Sequence, residues 1–527
     1  MTMHAGRLLL AVVCLAMAAP PAAWAQTAQP SLSPDRVVGV PVPPGQIEAA
    51  VAALDGLAQT MLERSGIPGL AVAVVHDGET VFAEGFGVRK AGEEAPVGPG
   101  TVFQIASLSK SISATVVARE VGKGVAAWDT PVVRYLPWFA LADPWVSAHV
   151  TIADLFSHRS GLPDHAGDDL EDLGFGQRAI FERLRAIPLD PFRATYAYTN
   201  FGLSVAATAV AAAAGKDWAS LAEADLFEPL GMSATSMRYS DFVARPDRAY
   251  GHVRVDGRWE ARFVRQPDAQ APAGGVSSSV EDLAKWMALV LDQGMFHGER
   301  IVEADALLPA VSAQVVSSPS RIPDARPGFY GFGFGVGVEP SGRMSLSHSG
   351  AFLLGAGTAY LMLPSLDLGI VVLSNAAPVG AVEALSREFA DLAQYGRVTR
   401  DWYAAYRMVL DPLYEPFGAL AGDDLPSEPT PALPLDAYAG DYTNDYLGDL
   451  LVERRPDGLV LVVGPSRIEF PLSHWSGDRF VFPIRNENAP SGSRSAVDFQ
   501  RGADEAISAV EVEYFDQFHT GPFTRRD

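Results

Sequence analysis

The chain has 527 residues, 48% hydrophobic and 20% charged, the composition of a globular protein long enough for two or three domains. Its 63 acidic residues outnumber the 40 basic ones, and a net charge of −23 repels nucleic acid and anionic membrane surfaces. Neither is expected as a partner, and the 39 prolines and 49 glycines point to many turns rather than to a helical array.

Arg7, the short apolar stretch Leu8 to Ala19 and the Ala23-Trp24-Ala25 cleavage site read as a signal peptide over residues 1–25, which predicts a periplasmic or secreted protein. That stretch is too short to span a bilayer, and no later run is long enough, so no stable membrane span is expected. The sole cysteine, Cys14, lies inside this segment. Val13 precedes it where a lipid-anchor site would need a small residue. A mature chain without cysteine has no disulfide and no thiol nucleophile.

After a Pro-rich stretch from Gln26 to Pro44, Leu70 to Val75 and Thr80 to Ala83 predict two strands joined at Asp77-Gly78, a strong hairpin signal. Ser107 to Gly122 reads as a helix, with Ile112, Val116 and Val117 on one side. A second helix is predicted from Ser279 to Gln293, where Leu283, Trp286, Met287, Val290 and Leu291 follow helical spacing and Ser279 with Asp282 resembles a capping box. Strands follow at Met344 to His348, Gly357 to Leu363 and Leu368 to Leu373. Strands, then helices, then strands predict an antiparallel sheet with helices packed on it, an α+β fold. Beyond a possible connecting helix from Asp401 to Leu413, Gly418 to Leu435 has the composition of a linker. The remainder is all-β, with strands at Leu450 to Val452, Leu459 to Val463, Arg479 to Ile484, Ala496 to Gln500 and Ile507 to Tyr514. The predicted division is a hydrolase domain over 45–395, a helix and linker over 396–434, and a C-terminal β-domain over 435–527.

Ser107-Leu108-Ser109-Lys110 is the informative stretch. A serine hydroxyl is a poor nucleophile until a base takes its proton, and a lysine three residues on shares its helical face. The helix N-terminus adds positive potential and free N–H groups for an oxyanion. Ser is also a preferred helix cap, but the chain has only five lysines and no other follows a serine at this spacing.

This stretch resembles the first motif of the serine β-lactamase and penicillin-binding protein superfamily, in its class C and S12 peptidase branch. The likeness runs from about Ile67 to Asn375. It includes Leu155 to Pro163, Glu228-Pro229-Leu230-Gly231-Met232 and Ala273 to Ser278. Tyr198-Thr199-Asn200 matches the branch's Y-x-N motif, which implies Tyr198 as base for acylation and acid for the leaving group. Asn200 would then hold the Lys110 ammonium and the substrate amide. Tyr442-Thr443-Asn444 carries the same letters outside the matched region and reads as a decoy. His348-Ser349-Gly350 matches the third motif, on a strand bordering the site, ahead of the decoys His165-Ala166-Gly167 and His519-Thr520-Gly521. Gly350 would let substrate approach the backbone, and the Ala351 and Ser107 N–H groups would form an oxyanion hole.

Histidine departs from the lysine that most β-lactamases and cell-wall carboxypeptidases carry here, and it is largely neutral at pH 7. The resemblance therefore implies a serine hydrolase acting through a Ser107 acyl-enzyme on a peptide or other small-molecule substrate. An amide comes first, an ester second and a β-lactam third; the rival outside catalysis is an envelope binding protein that keeps the fold. No metal or organic cofactor is implied. His158 and His165 near Asp164, Asp168 and Asp169 read as a solvated acidic loop rather than a metal site. No G-x-S-x-G, H-E-x-x-H or phosphate-binding glycine loop occurs. The β-domain, opening on Tyr438 to Tyr442, looks like one appended to many S12-type hydrolases.

Overall fold

The first hairpin sets the frame. In the computed structural model, which describes residues 40–484 and 489–526, strands β1 (Gly69–His76) and β2 (Glu79–Gly87) meet at Asp77 and Gly78. Both turn residues are left-handed, with φ of 51° and 75°, as a two-residue type I′ turn requires. The proposed signal peptide over 1–25 lies outside the described residues.

Six further strands complete an antiparallel sheet: β3 (Val315–Ser318), β4 (Gly328–Tyr330), β5 (Gly335–Val338), β6 (Met344–Phe352), β7 (Ala356–Leu363) and β8 (Leu368–Ser374). Their order is β2-β1-β8-β7-β6-β5-β4-β3. The apolar run in β1 follows from burial on both faces. Leu70, Val72 and Val74 pack with helices α1 (Leu54–Ser65) and later Ala381–Tyr395, whereas Ala71, Ala73 and Val75 face the main helical lobe. That lobe includes α2 (Ser109–Gly122), α3 (Asn200–Ala214) and α4 (Val280–Leu291), and the Ala381–Tyr395 helix is α5.

Two local departures from sequence expectation concern the helices. A short 3₁₀ turn, Ala106–Leu108, precedes α2, which is buried on nearly every side and not on one alone. At α4, Ser279 accepts the Asp282 N–H, but the Asp282 carboxylate turns away to Ala234 N–H at 2.7 Å and Thr235 Oγ1 at 3.0 Å. The capping box is half made.

Strand β6 positions the site. Its ladder to β5 ends at the Gly335–Ser347 pair, while its ladder to β7 continues through Phe352. Residues His348 to Phe352 thus leave β5 behind and run past the short turn Ala106–Leu108 that precedes α2 instead. Thr358 on β7 fastens this crossing, donating 2.8 Å to the Ile105 carbonyl.

Beyond helix α6 (Trp402–Leu410), strands β9 (Gly440–Asn444), β10 (Gly448–Arg455), β11 (Gly458–Val463), β12 (Ile468–Ser476), β13 (Arg479–Pro483), β14 (Arg494–Arg501), β15 (Ile507–Val512) and β16 (Phe523–Arg525) close into a barrel. Closure removes the exposed edges that an open sheet of this length would present. The tract before it is fastened to the barrel: Leu420 packs on Val481 and Ala496, and the Leu433 N–H donates to the Tyr438 hydroxyl at 2.9 Å. No helix among the described residues is long and apolar enough to cross a membrane.

Candidate active site

The backbone delivers Ser107 under strain. Ala106 is left-handed at φ 47° although it carries a Cβ, and its methyl is buried against Phe352 and Ala356. The turn leaves Ser107 partly exposed at the start of the α2 region, while Lys110, one turn on, is wholly buried.

Lys110 Nζ has three oxygen partners: Asn200 Oδ1 at 2.7 Å, the Ala273 carbonyl at 3.0 Å and Ser107 Oγ at 3.2 Å. Burial lowers its pKa from 10.5 to about 7, against an opposing pull from the Asp168 carboxylate. Near neutrality a large fraction is therefore amine. An amine has two N–H donors, which Asn200 and Ala273 take, and its lone pair then faces the Ser107 hydroxyl. The Ala273 carbonyl is held in reach because α2 also ties down its neighbours: Ser113 Oγ donates to the Pro272 carbonyl at 2.6 Å, and Ser109 Oγ accepts from Val276 N–H at 3.0 Å.

Tyr198 hydrogen-bonds Ser107 and lies with its ring centroid 4.5 Å from Lys110 Nζ. Burial drives its phenol well above the usual range, only partly offset by the Ser107 bond. Tyr198 and Lys110 thus both touch Ser107, with burial raising the phenol and bringing the lysine down toward neutrality. The Tyr198 backbone is clamped from the 158–165 segment. Its N–H donates to Asp164 Oδ1 at 2.6 Å, its carbonyl accepts from His165 N–H at 2.7 Å, and the next N–H, of Thr199, donates to His158 Nδ1 at 3.1 Å.

Gly350 backs directly onto the nucleophile. A Cβ there would stand 2.9 Å from Ser107 N, 2.7 Å from the Ile105 carbonyl oxygen and 2.4 Å from Thr358 Oγ1. Ala351 follows on the same strand and Ser349 precedes it. His348 Nδ1 lies 2.7 Å from the Ser349 carbonyl and Nε2 2.9 Å from Tyr330 Oη, with its ring 6.4 Å from that of Tyr198. Burial, and then the Lys110 charge, lower the imidazole to about 3, so it is neutral at any working pH. Ser349 Oγ donates to Glu383 Oε1 on α5. The other Glu383 oxygen is buried without a hydrogen-bond partner among the described residues, and burial raises this carboxyl above its usual range.

The structure thus brings Ser107, Lys110, Tyr198, Asn200, His348, Ser349, Gly350 and Ala351 into one place. The decoys sit elsewhere or play other parts: Tyr442 is buried in the barrel, and His519 is exposed on it. The loop read as solvated and acidic is a correction. Asp168 Oδ2 accepts from Asn200 Nδ2 and from His165 Nδ1, both at 2.8 Å, and Asp169 is buried. Packing against the barrel, invisible in the local sequence, covers Asp169, while Asp164 and His165 stay exposed as expected of a solvated loop. Among the described residues no group of three or more His, Cys, Asp or Glu could hold a metal ion.

A family model described as "Beta-lactamase" matches residues 54–394, almost two thirds of the chain, and covers every one of these site residues. The chain belongs to the β-lactamase family of serine hydrolases. A second model, a domain of unknown function (DUF3471), matches residues 425–522, the barrel region. Family relatives include the unguisins hydrolase of Aspergillus violaceofuscus, 29% identical over 79% of this chain and 80% of its own. The esterase EstB of Burkholderia gladioli is 28% identical over 66% and 95%. The D-alanyl-D-alanine-carboxypeptidase/endopeptidase AmpH of Escherichia coli is 24% identical over 66% and 89%. Among solved structures, the octameric penicillin-binding protein homologue of Pyrococcus abyssi shares the fold with a TM-score of 0.58, at 20% identity over 88% of this chain and 98% of that one. The class C β-lactamase of Rhodobacter sphaeroides shares it at 0.53, with 23% identity over 64% and 98%.

Proposed function

We propose that this β-lactamase-family protein is an exported peptidase or amidase of the S12 type that works through an acyl-enzyme on Ser107. The observation that carries the reading is the placement of the buried Lys110 Nζ, held by Asn200 Oδ1 and the Ala273 carbonyl with Ser107 Oγ 3.2 Å away as its third neighbour.

In the proposed reaction Ser107 Oγ bonds to the substrate carbonyl carbon while its proton moves to Lys110 Nζ. The Ser107 and Ala351 N–H groups receive the oxyanion. The carbonyl–nitrogen bond then breaks, and the leaving nitrogen takes a proton from the Tyr198 hydroxyl, which is replenished from Lys110. Water then attacks the acyl carbon and gives its proton to the Lys110–Tyr198 pair; the bond to Ser107 Oγ breaks, that proton passes to Ser107 Oγ, and the acid leaves. Asn200 keeps the lysine aligned throughout.

The substrate class follows from the leaving-group side, which is the Tyr198 and His348 end of β6. His348 is neutral, and the Ser349 hydroxyl is committed to an acidic neighbour, Glu383. A free carboxylate on the leaving group would meet a neutral imidazole at His348 and a carboxyl group at Glu383, so a neutral amide fits better than a β-lactam or a C-terminal carboxypeptide. AmpH, by its name both a carboxypeptidase and an endopeptidase, supports an amide bond as the target but not the argument against a C-terminal carboxylate; EstB, by its name, makes an ester the second reading. We further propose cleavage after Ala25 and export, with a hydrolase domain over 45–395 and a separate barrel domain over 435–527 joined by residues 396–434.

Parallel assays on D- and L-amino acid amides, p-nitrophenyl esters and nitrocefin test the substrate reading. The amides are expected to give the highest kcat/KM relative to their uncatalysed rates. Faster turnover of nitrocefin than of every amide and ester would overturn it.

A further inference from the structure

The barrel reaches the catalytic lysine through one tyrosine. Tyr446 sits in the turn between β9 and β10 with no exposed surface. Its hydroxyl hydrogen-bonds Asp169 Oδ1 and accepts the Gly167 N–H at 3.1 Å, so it grips both the cap and the first turn of the short helix Asp168–Asp172. Asp168, between those two contacts, accepts from Asn200 Nδ2 at 2.8 Å, and Asn200 Oδ1 accepts from Lys110 at 2.7 Å. The chain of contacts from barrel to lysine is unbroken.

The seam around it is built for close approach. Gly174, at φ +89°, would place a Cβ 1.9 Å from Ser466 Oγ, and Gly464, at φ +70°, would place one 2.5 Å from the Leu173 carbonyl oxygen. The Ser466 N–H donates to that same carbonyl at 3.3 Å. The turn that presents Tyr446 is itself organised: Asn444 Oδ1 accepts the N–H groups of Tyr446 and Leu447, both at 2.9 Å, while its Nδ2 donates to the Gly521 carbonyl at 2.9 Å. The second Tyr-x-Asn of the sequence is thus the support of this turn.

We propose that Tyr446 is a positioning residue for catalysis: the barrel, through Tyr446, Gly167 and Asp169, fixes the Asp168 carboxylate against Asn200 and so sets the alignment and ionisation of Lys110. The barrel is then a working part of the active site. This inference rests on Lys110 being the base for Ser107. Asp168 is the carboxylate whose charge opposes the lowering of the Lys110 pKa. His165, which pairs with Asp168, faces it from the site, as do Asp164 and Tyr198. Asp169, whose pKa burial raises to about 7, and Glu171, paired with Arg265, lie on its own helix, and Tyr446 faces it from the barrel. Releasing Asp168 removes its pull and leaves the lysine easier to deprotonate but poorly aimed.

The test uses the full chain and the rate of Ser107 labelling by a fluorophosphonate from pH 5 to 9. Tyr446→Phe keeps the ring and removes only the hydroxyl. It is expected to lower the plateau rate about tenfold, within the range that small misplacements cost, and to move the rising limb to lower pH. Asp168→Asn is expected to move the limb in the same direction, and Tyr446→Phe added to Asp168→Asn should move it no further. If Tyr446→Phe does not fold, Asp169→Asn weakens the same bond from the other side and is scored identically. A folded Tyr446→Phe with the wild-type limb and plateau would overturn the proposal, as would a limb shift that persists undiminished beside Asp168→Asn. Failure of the Lys110 reading itself would show differently, as a wild-type labelling rate in Lys110→Ala.

Discussion

Gly350 lies against the amide of Ser107 so closely that one added methyl group would stand 2.9 Å from its nitrogen. The strand and the helix start, to which we assign the oxyanion site, are therefore in close contact, and only the absence of a side chain permits it. Gly350→Ala is expected to push β6 away from Ser107 and to cut the acylation rate at least 100-fold, the scale of losing one oxyanion donor. Stopped-flow acylation with a p-nitrophenyl ester reads this; a loss below tenfold in a folded variant would contradict it.

The buried Lys110 makes two linked predictions about pH. Activity should rise as the ammonium loses its proton, giving kcat/KM a limb near pH 7, with no contribution from His348, whose pKa is lowered to about 3. Stability should move the same way. The folded-state pKa lies below the unfolded value of 10.5, so the unfolded chain binds the extra proton between about pH 7 and 10.5. The penalty of burying Lys110 is complete below pH 7, on the order of 5 kcal/mol, and fades as pH rises through that window. Lys110→Met should therefore gain more stability over wild type at pH 6 than at pH 9 in urea melts. An equal gain at both would refute the shift.

His348 offers a change of substrate. Its imidazole is neutral and bonded to Tyr330 and the Ser349 carbonyl, beside a serine already held by Glu383. His348→Lys combined with Glu383→Gln puts a cation where the leaving group lies and removes the opposing acid. Nitrocefin turnover relative to amide turnover is expected to rise about tenfold or more, the worth of one charge-assisted hydrogen bond. An unchanged ratio would mean that neither residue faces the leaving group.

Asp154 is the anchor of the clamp behind Tyr198. Its carboxylate is buried and bonded by Arg159, Arg193 and the Thr151 hydroxyl, and the Arg159 carbonyl accepts the Arg193 N–H. Burial alone would raise its pKa, but the bonds from Arg193 and Thr151 outweigh this and hold it below 3.8. Its stabilisation is present above the unfolded pKa and is lost as pH falls through the lower folded value. Asp154→Ala leaves two guanidinium groups without their partner and should cost about 3 kcal/mol at pH 7. A differential scanning calorimetry trace indistinguishable from wild type would rule that out.

The sequence displayed the parts of the site that contact each other along one element or recur as motifs. Ser107 and Lys110 share a helical face, and His348 to Ala351 share a strand. What it hid depends on contacts between distant segments. Asp168 reads as a solvated acid because nothing near it in sequence announces Tyr446, 278 positions further on, which covers its neighbour Asp169. Glu383 and Thr358 are ordinary helix and strand residues until β6 is laid between them. In the barrel, β12 escapes a reading by pattern because Pro471 sits inside it, opposite Val460 on β11, and β16 is only three residues long. At α4 the Ser279 and Asp282 spacing is right for a reciprocal cap, yet the carboxylate is drawn off by the 234–235 turn.

The central claim is that Ser107 is a nucleophile activated by Lys110, and intact-mass spectrometry after fluorophosphonate exposure tests it most directly. Wild-type protein is expected to gain one adduct, mapped to Ser107, while Ser107→Ala and Lys110→Ala gain none over the same time. A folded wild-type protein that stays unlabelled, or a Lys110→Ala variant labelled as fast as wild type, would contradict it.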